Sequence, residues 1–211
     1  MSARKRFNAW LLGVLDGWFH RMVGERKAAL LGGLRGTVVE LGPGAGANLR
    51  YYGPGVRLIA VEPSVAMHDR LRAEAARRGV SIEVVRAFGE AVDLPDGRAD
   101  AVVGTLVLCS VRDPAAVLAT VRRLLRPGGR FVFLEHVAAP SGTPIRWLQA
   151  ALHGPWRAVF DGCHPDRETW TVIERAGFVD LHLERYDAPT LAWPIRPQIA
   201  GYATAPTRDN P

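Results

Sequence analysis

The sequence predicts an α/β fold organised around a doubly wound, parallel sheet. Three observations carry this. Short apolar runs alternate with amphipathic ones from residue 37 to residue 204. One run, "ADAVVGTLVL" at 99–108, is apolar almost throughout, as befits a strand covered on both faces. Another, "TVVEL" at 37–41, opens directly into the glycine-rich "GPGAG". Sheets of this kind bind ligands at the carboxyl ends of their strands, near the topological switch point.

The elements follow in order. "TVVELG" (37–42) is the first strand and "VRLIAVE" (56–62) the second, followed by a helix from Ser64 to Arg78 rich in Ala, Arg and Glu. "VSIEVVRA" (80–87) is the third strand and 99–108 the fourth. Asp113-Pro114 starts a helix, because Asp is a good N-cap and Pro suits the first helical position. "RPGG" stops that helix, and "RFVFLEH" (130–136) is the fifth strand. A helical stretch near 144–158, a helix from Asp166 to Ala176 capped by Asp166, and strands near 179–186 and 197–204 complete the chain.

Before the first strand, Phe7, Trp10, Leu11, Val14, Trp18 and Met22 recur at helical spacing. Residues 1–36 therefore read as an amphipathic helical lid, and 37–211 as the main domain. Residues 7–23 are also suited to peripheral contact with a membrane surface. Asp16 interrupts the apolar run and no small-x-small site follows, so neither a cleaved leader nor a span is expected.

Composition narrows the function. Hydrophobic residues make up 48% and charged residues 23%, ordinary for a globular protein. The net charge is +6, yet lysine occurs only at 5 and 27, and the arginines are scattered rather than striped. No nucleic-acid partner is expected. Two cysteines, Cys109 and Cys163, make no disulfide framework and suit a reducing cytoplasm. Nothing specifies an oligomer, so a monomer is expected.

The glycine loop is the most informative stretch. Gly42, Gly44 and Ala47 satisfy a loose G-x-G-x-x-[GA] pattern, and Glu62 follows about twenty residues on, where an acid can accept ribose hydroxyls. A dinucleotide and a sulfonium nucleoside both fit so far. Glu40, just before the loop, favours the second: a pyrophosphate would be repelled by it, whereas a cationic aminoacyl sulfonium would not. "FGEAVDLP" then places Glu90 and Ala91 where an adenine amino group can be read, and "LLRPGGRFVFLE" puts a glycine break before a strong fifth strand.

Together, "VVELGPGAG", "VEPS", "GEAVDLP", "DAVVGTLVLCSV" and "LLRPGGRFVFLEH" resemble the class I S-adenosylmethionine-dependent methyltransferases, from about Thr37 to the C-terminus. "TLVLCSV", "EHVA", "FDGC", "RETW" and "RPQIAGYAT" are similar to a narrower group, the methyltransferase-like alkyl-thiol methyltransferases and their bacterial relatives. The resemblance implies a Rossmann-like seven-stranded sheet of order 3-2-1-4-5-7-6 with the last strand antiparallel. It implies S-adenosylmethionine as cofactor and S-adenosylhomocysteine as product. By position, Glu40, Gly42, Gly44 and Gly46 form the first loop. Glu62 holds the ribose beside Pro63, Glu90 and Ala91 meet the adenine, and Thr105 and Leu106 lie along the cofactor towards the acceptor.

Methyl transfer needs alignment more than acid–base power. His136, directly after the fifth strand, is the first candidate base, and Asp161 in "FDGCHP" the second. Trp10, Trp18, Phe19, Trp147 and Trp156, with Cys109 and Cys163, are the expected lining of a pocket for a small lipophilic acceptor. The cysteines and histidines lack the close pairs of a zinc site, and no metal is expected. A thiol sulfur is the leading acceptor. A phospholipid amine or a quinone-type hydroxyl is the alternative, and a cofactor-binding scaffold without activity is the reading from another class.

Overall fold

The computed structural model describes residue 20, residues 22–190 and residues 192–207. Seven strands form one sheet in the order β3-β2-β1-β4-β5-β7-β6. They are β1 (Gly36–Leu41), β2 (Val56–Val61), β3 (Ser81–Val85), β4 (Ala99–Thr105), β5 (Leu125–His136), β6 (Val179–Asp187) and β7 (Pro197–Thr204). β1 to β5 pair in parallel, and β7 runs antiparallel to both β5 and β6. The strand order and its antiparallel closing strand are as the resemblance implied.

Helices cover both faces. They are α1 (residues 22–31), α2 (Val65–Arg78), α3 (Pro114–Leu124), α4 (Pro144–Val159) and α5 (Thr169–Glu174). The pleat of β1 shows how one strand serves two cores: Val39 and Leu41 join Val117, Val121, Leu124 and Ile173 from α3 and α5, while Val38 joins Leu31, Leu71 and Ala75 from α1 and α2. Met22 and Val23 of α1 pack with Leu134 and Ala200, so the start of this helix rests on the sheet next to Leu106. Most of the proposed lid, including Trp10, Trp18 and Phe19, lies outside the described residues. Among those described, no helix is long and apolar enough to cross a membrane.

Several boundaries differ from the sequence reading. β4 ends at Thr105, because Leu106 takes a left-handed conformation (φ 57°) that no strand continues through. α3 ends at Leu124, before "RPGG". That stretch belongs to β5 as an irregularity, with β4 residues Ala99 and Ala101 facing Leu125 and Arg130. α5 begins only at Thr169, and its N-cap position is Glu168. Asp166 does not cap it; its carboxylate lies 2.9 Å from His153 Nδ1, a tertiary contact that takes the side chain elsewhere.

The cap of α3 is as read. Asp113 Oδ1 accepts hydrogen bonds from the backbone N–H groups of Ala115 and Ala116, at 2.9 and 3.1 Å. Asp113→Ala leaves those two donors to water, and the expected loss is about 1 kcal/mol, read as a melting temperature lower by roughly 2–4 °C in thermal denaturation.

Candidate active site

The glycine loop leaves β1 and turns on residues that only glycine accommodates readily. Gly44 has φ 58°, and a Cβ there would project into open space, the vacancy a ligand needs beside a loop backbone. Glu62, at the end of β2 and 6% exposed, binds the loop from below: Oε2 accepts from Gly44 N–H at 2.9 Å, and Oε1 accepts from Ser64 N–H at 2.8 Å. Pro63 lies between, half-buried. Glu62 thus stands where the sequence put it, and it orders the loop as well.

Glu40 is buried, and its two oxygens accept from Asn48 Nδ2 and Tyr52 Oη, each at 2.7 Å. Burial raises its pKa, while the Tyr52 and Asn48 hydrogen bonds and the charge of Lys27 on α1 pull the other way. Asn48 Nδ2 also donates to Thr105 Oγ1 at 2.8 Å, which ties the glycine loop to the end of β4. Asn48 Oδ1 is buried and finds no partner among the described residues. The adenine-side residues Glu90 and Ala91 sit on a single 3₁₀ turn, Gly89–Ala91, at the surface.

The turn after β4 is built on Glu135, which the sequence reading did not single out. This carboxylate is fully buried. Its oxygens accept from the N–H groups of Val107 (2.8 Å), Leu108 (2.9 Å) and Cys109 (3.2 Å). Burial pushes its pKa up and the three backbone donors oppose this. Leu106 N–H donates to Leu134 O at 2.8 Å, so the turn after β4 is pinned to β5 residue by residue. Arg167 closes it from outside, donating to Leu108 O and Val111 O at 2.5 and 2.7 Å.

That turn brings Cys109 to His136 and Cys163. His136 Nε2 lies 2.9 Å from Cys163 Sγ, Trp156 Nε1 donates to the same sulfur at 3.4 Å, and Cys109 Sγ is 3.9 Å from it. All three cluster residues are buried. The contact with Cys109 is the largest influence drawing the Cys163 thiol well below its ordinary value, to about 4, against burial and with help from His136. Cys109 moves the opposite way, held as a thiol.

The remaining candidates separate. Trp156 is in the cluster and packs on Phe160 with ring centroids 4.4 Å apart. Trp147, on the same helix, is 74% exposed and does not line an enclosed pocket; the helical spacing that joined it to Trp156 cannot distinguish the covered face from the open one. Asp161 is exposed on a left-handed turn (φ 48°), so of the two candidate bases only His136 is buried with the sulfurs.

Gln149 was also missed. It is fully buried on α4: Oε1 accepts from Ala139 N–H at 2.8 Å, while Nε2 faces the carbonyls of Val137 (3.0 Å), Pro165 (2.8 Å) and Pro194 (2.8 Å). A lone glutamine in an amphipathic helix carries no sequence signal for this.

A seven-stranded sheet with this order, a glycine loop after β1 and an acid at the end of β2 defines an S-adenosylmethionine-dependent methyltransferase. Residues 39–133 match the family model described as a methyltransferase domain. The human thiol S-methyltransferase TMT1A is 42% identical over 171 residues, 79% of this chain and 70% of that protein. Human thiol S-methyltransferase TMT1B is 38% identical over 210 residues, 94% and 86%. The solved structure of the YcgJ protein from Bacillus subtilis superposes with a TM-score of 0.70 at 16% identity, covering 89% of this chain and 99% of that one. The chain belongs to the family of these thiol S-methyltransferases.

Two measurements probe the framework. Glu62→Ala removes the acceptor of Gly44 N–H and the expected ribose ligand. Losing a charge-assisted bond costs ~1.5–3 kcal/mol, so calorimetry with S-adenosylhomocysteine should show affinity at least about tenfold weaker in a folded variant. Gln149→Leu strands a buried N–H and three carbonyls. Chemical denaturation should show a loss of several kcal/mol, at about 1–3 kcal/mol per unsatisfied group.

Proposed function

We propose that this methyltransferase moves the methyl group of S-adenosylmethionine to a small lipophilic thiol. The observation that carries the reading is the position of His136: it is buried at the end of β5 against the turn that follows Thr105, and its Nδ1 has no partner among the described residues. The activity named for the human relatives TMT1A and TMT1B supports a thiol acceptor.

The residues fit the cofactor, with Gly42, Gly44 and Gly46 around its aminoacyl part, Glu62 and Pro63 at the ribose, Glu90 and Ala91 at the adenine, and Thr105 and Leu106 towards the acceptor. When bound, it supplies a methyl group already activated on a cationic sulfur. The chain's task is then to align an acceptor and relieve it of a proton. His136 Nδ1 takes that proton. Burial draws the His136 pKa down, but the hydrogen bond and charge of Cys163, with Glu135, more than offset this and leave it above its ordinary value. A base raised in this way is matched to a thiol, whose own pKa is near ~8.5. A hydroxyl would need a far stronger base than the cluster offers. Trp156 and Phe160 give the acceptor an apolar wall.

The test is methylation of a hydrophobic alkyl thiol beside its alcohol and amine analogues. The thiol should be strongly preferred; a preference for either analogue would sink the assignment. For His136→Ala, activity on the thiol should be low at neutral pH and recover relative to wild type towards about pH 9, as solvent supplies the thiolate near the acceptor's pKa of ~8.5. A defect constant with pH would make His136 structural.

A further inference from the structure

We propose that Cys163 is a thiolate that orients His136 and makes it a stronger base for the acceptor thiol, a positioning role that rests on the thiol reading above.

Two ring nitrogens converge on one sulfur. His136 Nε2 is 2.9 Å from Cys163 Sγ and Trp156 Nε1 donates to it at 3.4 Å, with Cys109 Sγ 3.9 Å away. A neutral thiol accepts weakly and has no need of two such donors; a thiolate does. The three neighbours come from separate stretches of chain: the end of β5, α4 and the turn after β4. Local backbone bonds hold the sulfur in place, with Cys163 N–H donating to Phe160 O at 3.0 Å and His164 N–H donating to Cys109 O at 2.8 Å.

With Nε2–H committed to Cys163, the lone pair of neutral imidazole sits on Nδ1. That atom is buried and finds no partner among the described residues. A buried polar nitrogen left this way costs about 1–3 kcal/mol, which an incoming S–H can relieve. The acceptor thiol gives its proton to Nδ1; its freed sulfur pair would bond to the methyl carbon of bound S-adenosylmethionine, which would leave as neutral S-adenosylhomocysteine. The cluster is left as imidazolium beside thiolate, and Nδ1 later returns the proton to water. Cys163 neither gains nor loses a proton.

The charged and titratable groups around His136 are Cys163, Cys109, Glu135 and Arg167. Cys163 and Glu135 favour imidazolium, and Arg167 opposes it. Because the His136 pKa is raised, the free base accumulates as pH rises through that raised value, and turnover climbs in a window above 6.5. Cys163→Ser is near in size but uncharged there. Its His136 should fall by about one to three units, moving the rising limb of the kcat profile to lower pH while the maximum kcat drops.

The experiment is an NMR titration of the His136 ring in the full-length chain, without ligands, for wild type, Cys163→Ser and Cys163→Asp. Metal content is measured on the same samples. The expected result is an elevated wild-type value, a lowered value in Cys163→Ser, restoration in Cys163→Asp, and no stoichiometric metal. A wild-type His136 at or below its ordinary value, one that Cys163→Ser leaves unchanged, or a bound metal would overturn the proposal. Should wild type prefer a non-thiol acceptor while the titrations behave as stated, the thiol reading fails and the pair stands.

Discussion

The turn after β4 hangs on one buried carboxyl group. Glu135 has no access to water, and its two oxygens are saturated by three successive backbone N–H groups from residues 107–109. Those donors point the same way only because Leu106 turns the chain left-handed at the end of β4, a conformation that a leucine adopts at a cost of order 1–3 kcal/mol. The carboxylate and the turn therefore require each other. Without the turn the carboxylate would be buried unpaired; without the carboxylate three successive N–H groups would lose their acceptor, and the strained backbone would be left to Leu134 O and Arg167. The by-product is the location of Cys109, delivered to within reach of Cys163, a residue 54 positions away in the chain.

A second buried acid performs the equivalent service for the cofactor side. Glu40 gathers Asn48 and Tyr52, and Asn48 in turn reaches Thr105. Thr105 is thus where two networks meet, one running back to the glycine loop and one running on through residues 106–109 to Glu135. The glycine loop and the turn after β4 share an apolar core, in which Leu41, Leu108 and Val137 pack together, and the Asn48–Thr105 hydrogen bond adds a directional contact between them.

Legibility in the sequence followed the range of the forces involved. The glycine loop, Glu62 at the end of β2 and the Asp113 cap are local, and each announces itself within a few residues. The end of β4 was not legible, because "TLVL" stays apolar through the turn and only the distant Glu135 stops the strand. Asp166 looked like a cap and was claimed by His153 on another helix. The aromatic stripe of α4 was visible, but which face is covered depends on the neighbours, and these put Trp156 inside and Trp147 outside. The sulfur–imidazole cluster combines three residues whose separations, 27 and 54 positions, match no motif.

Gln149 carries an implication for how the enzyme can be rearranged. Its four contacts reach back to residues 137 and 139 and forward to 165 and 194. One amide thereby staples the loop after β5, the segment before α5 and the approach to β7. The α4 wall beside the sulfur–imidazole cluster is for this reason not an interchangeable module. Grafting α4 from a relative with a different acceptor would import a helix whose glutamine must find four foreign backbone partners at once. Transplantable specificity, if sought, lies in side chains that face the cluster without joining this staple, and the backbone around Gln149 must travel as a single piece.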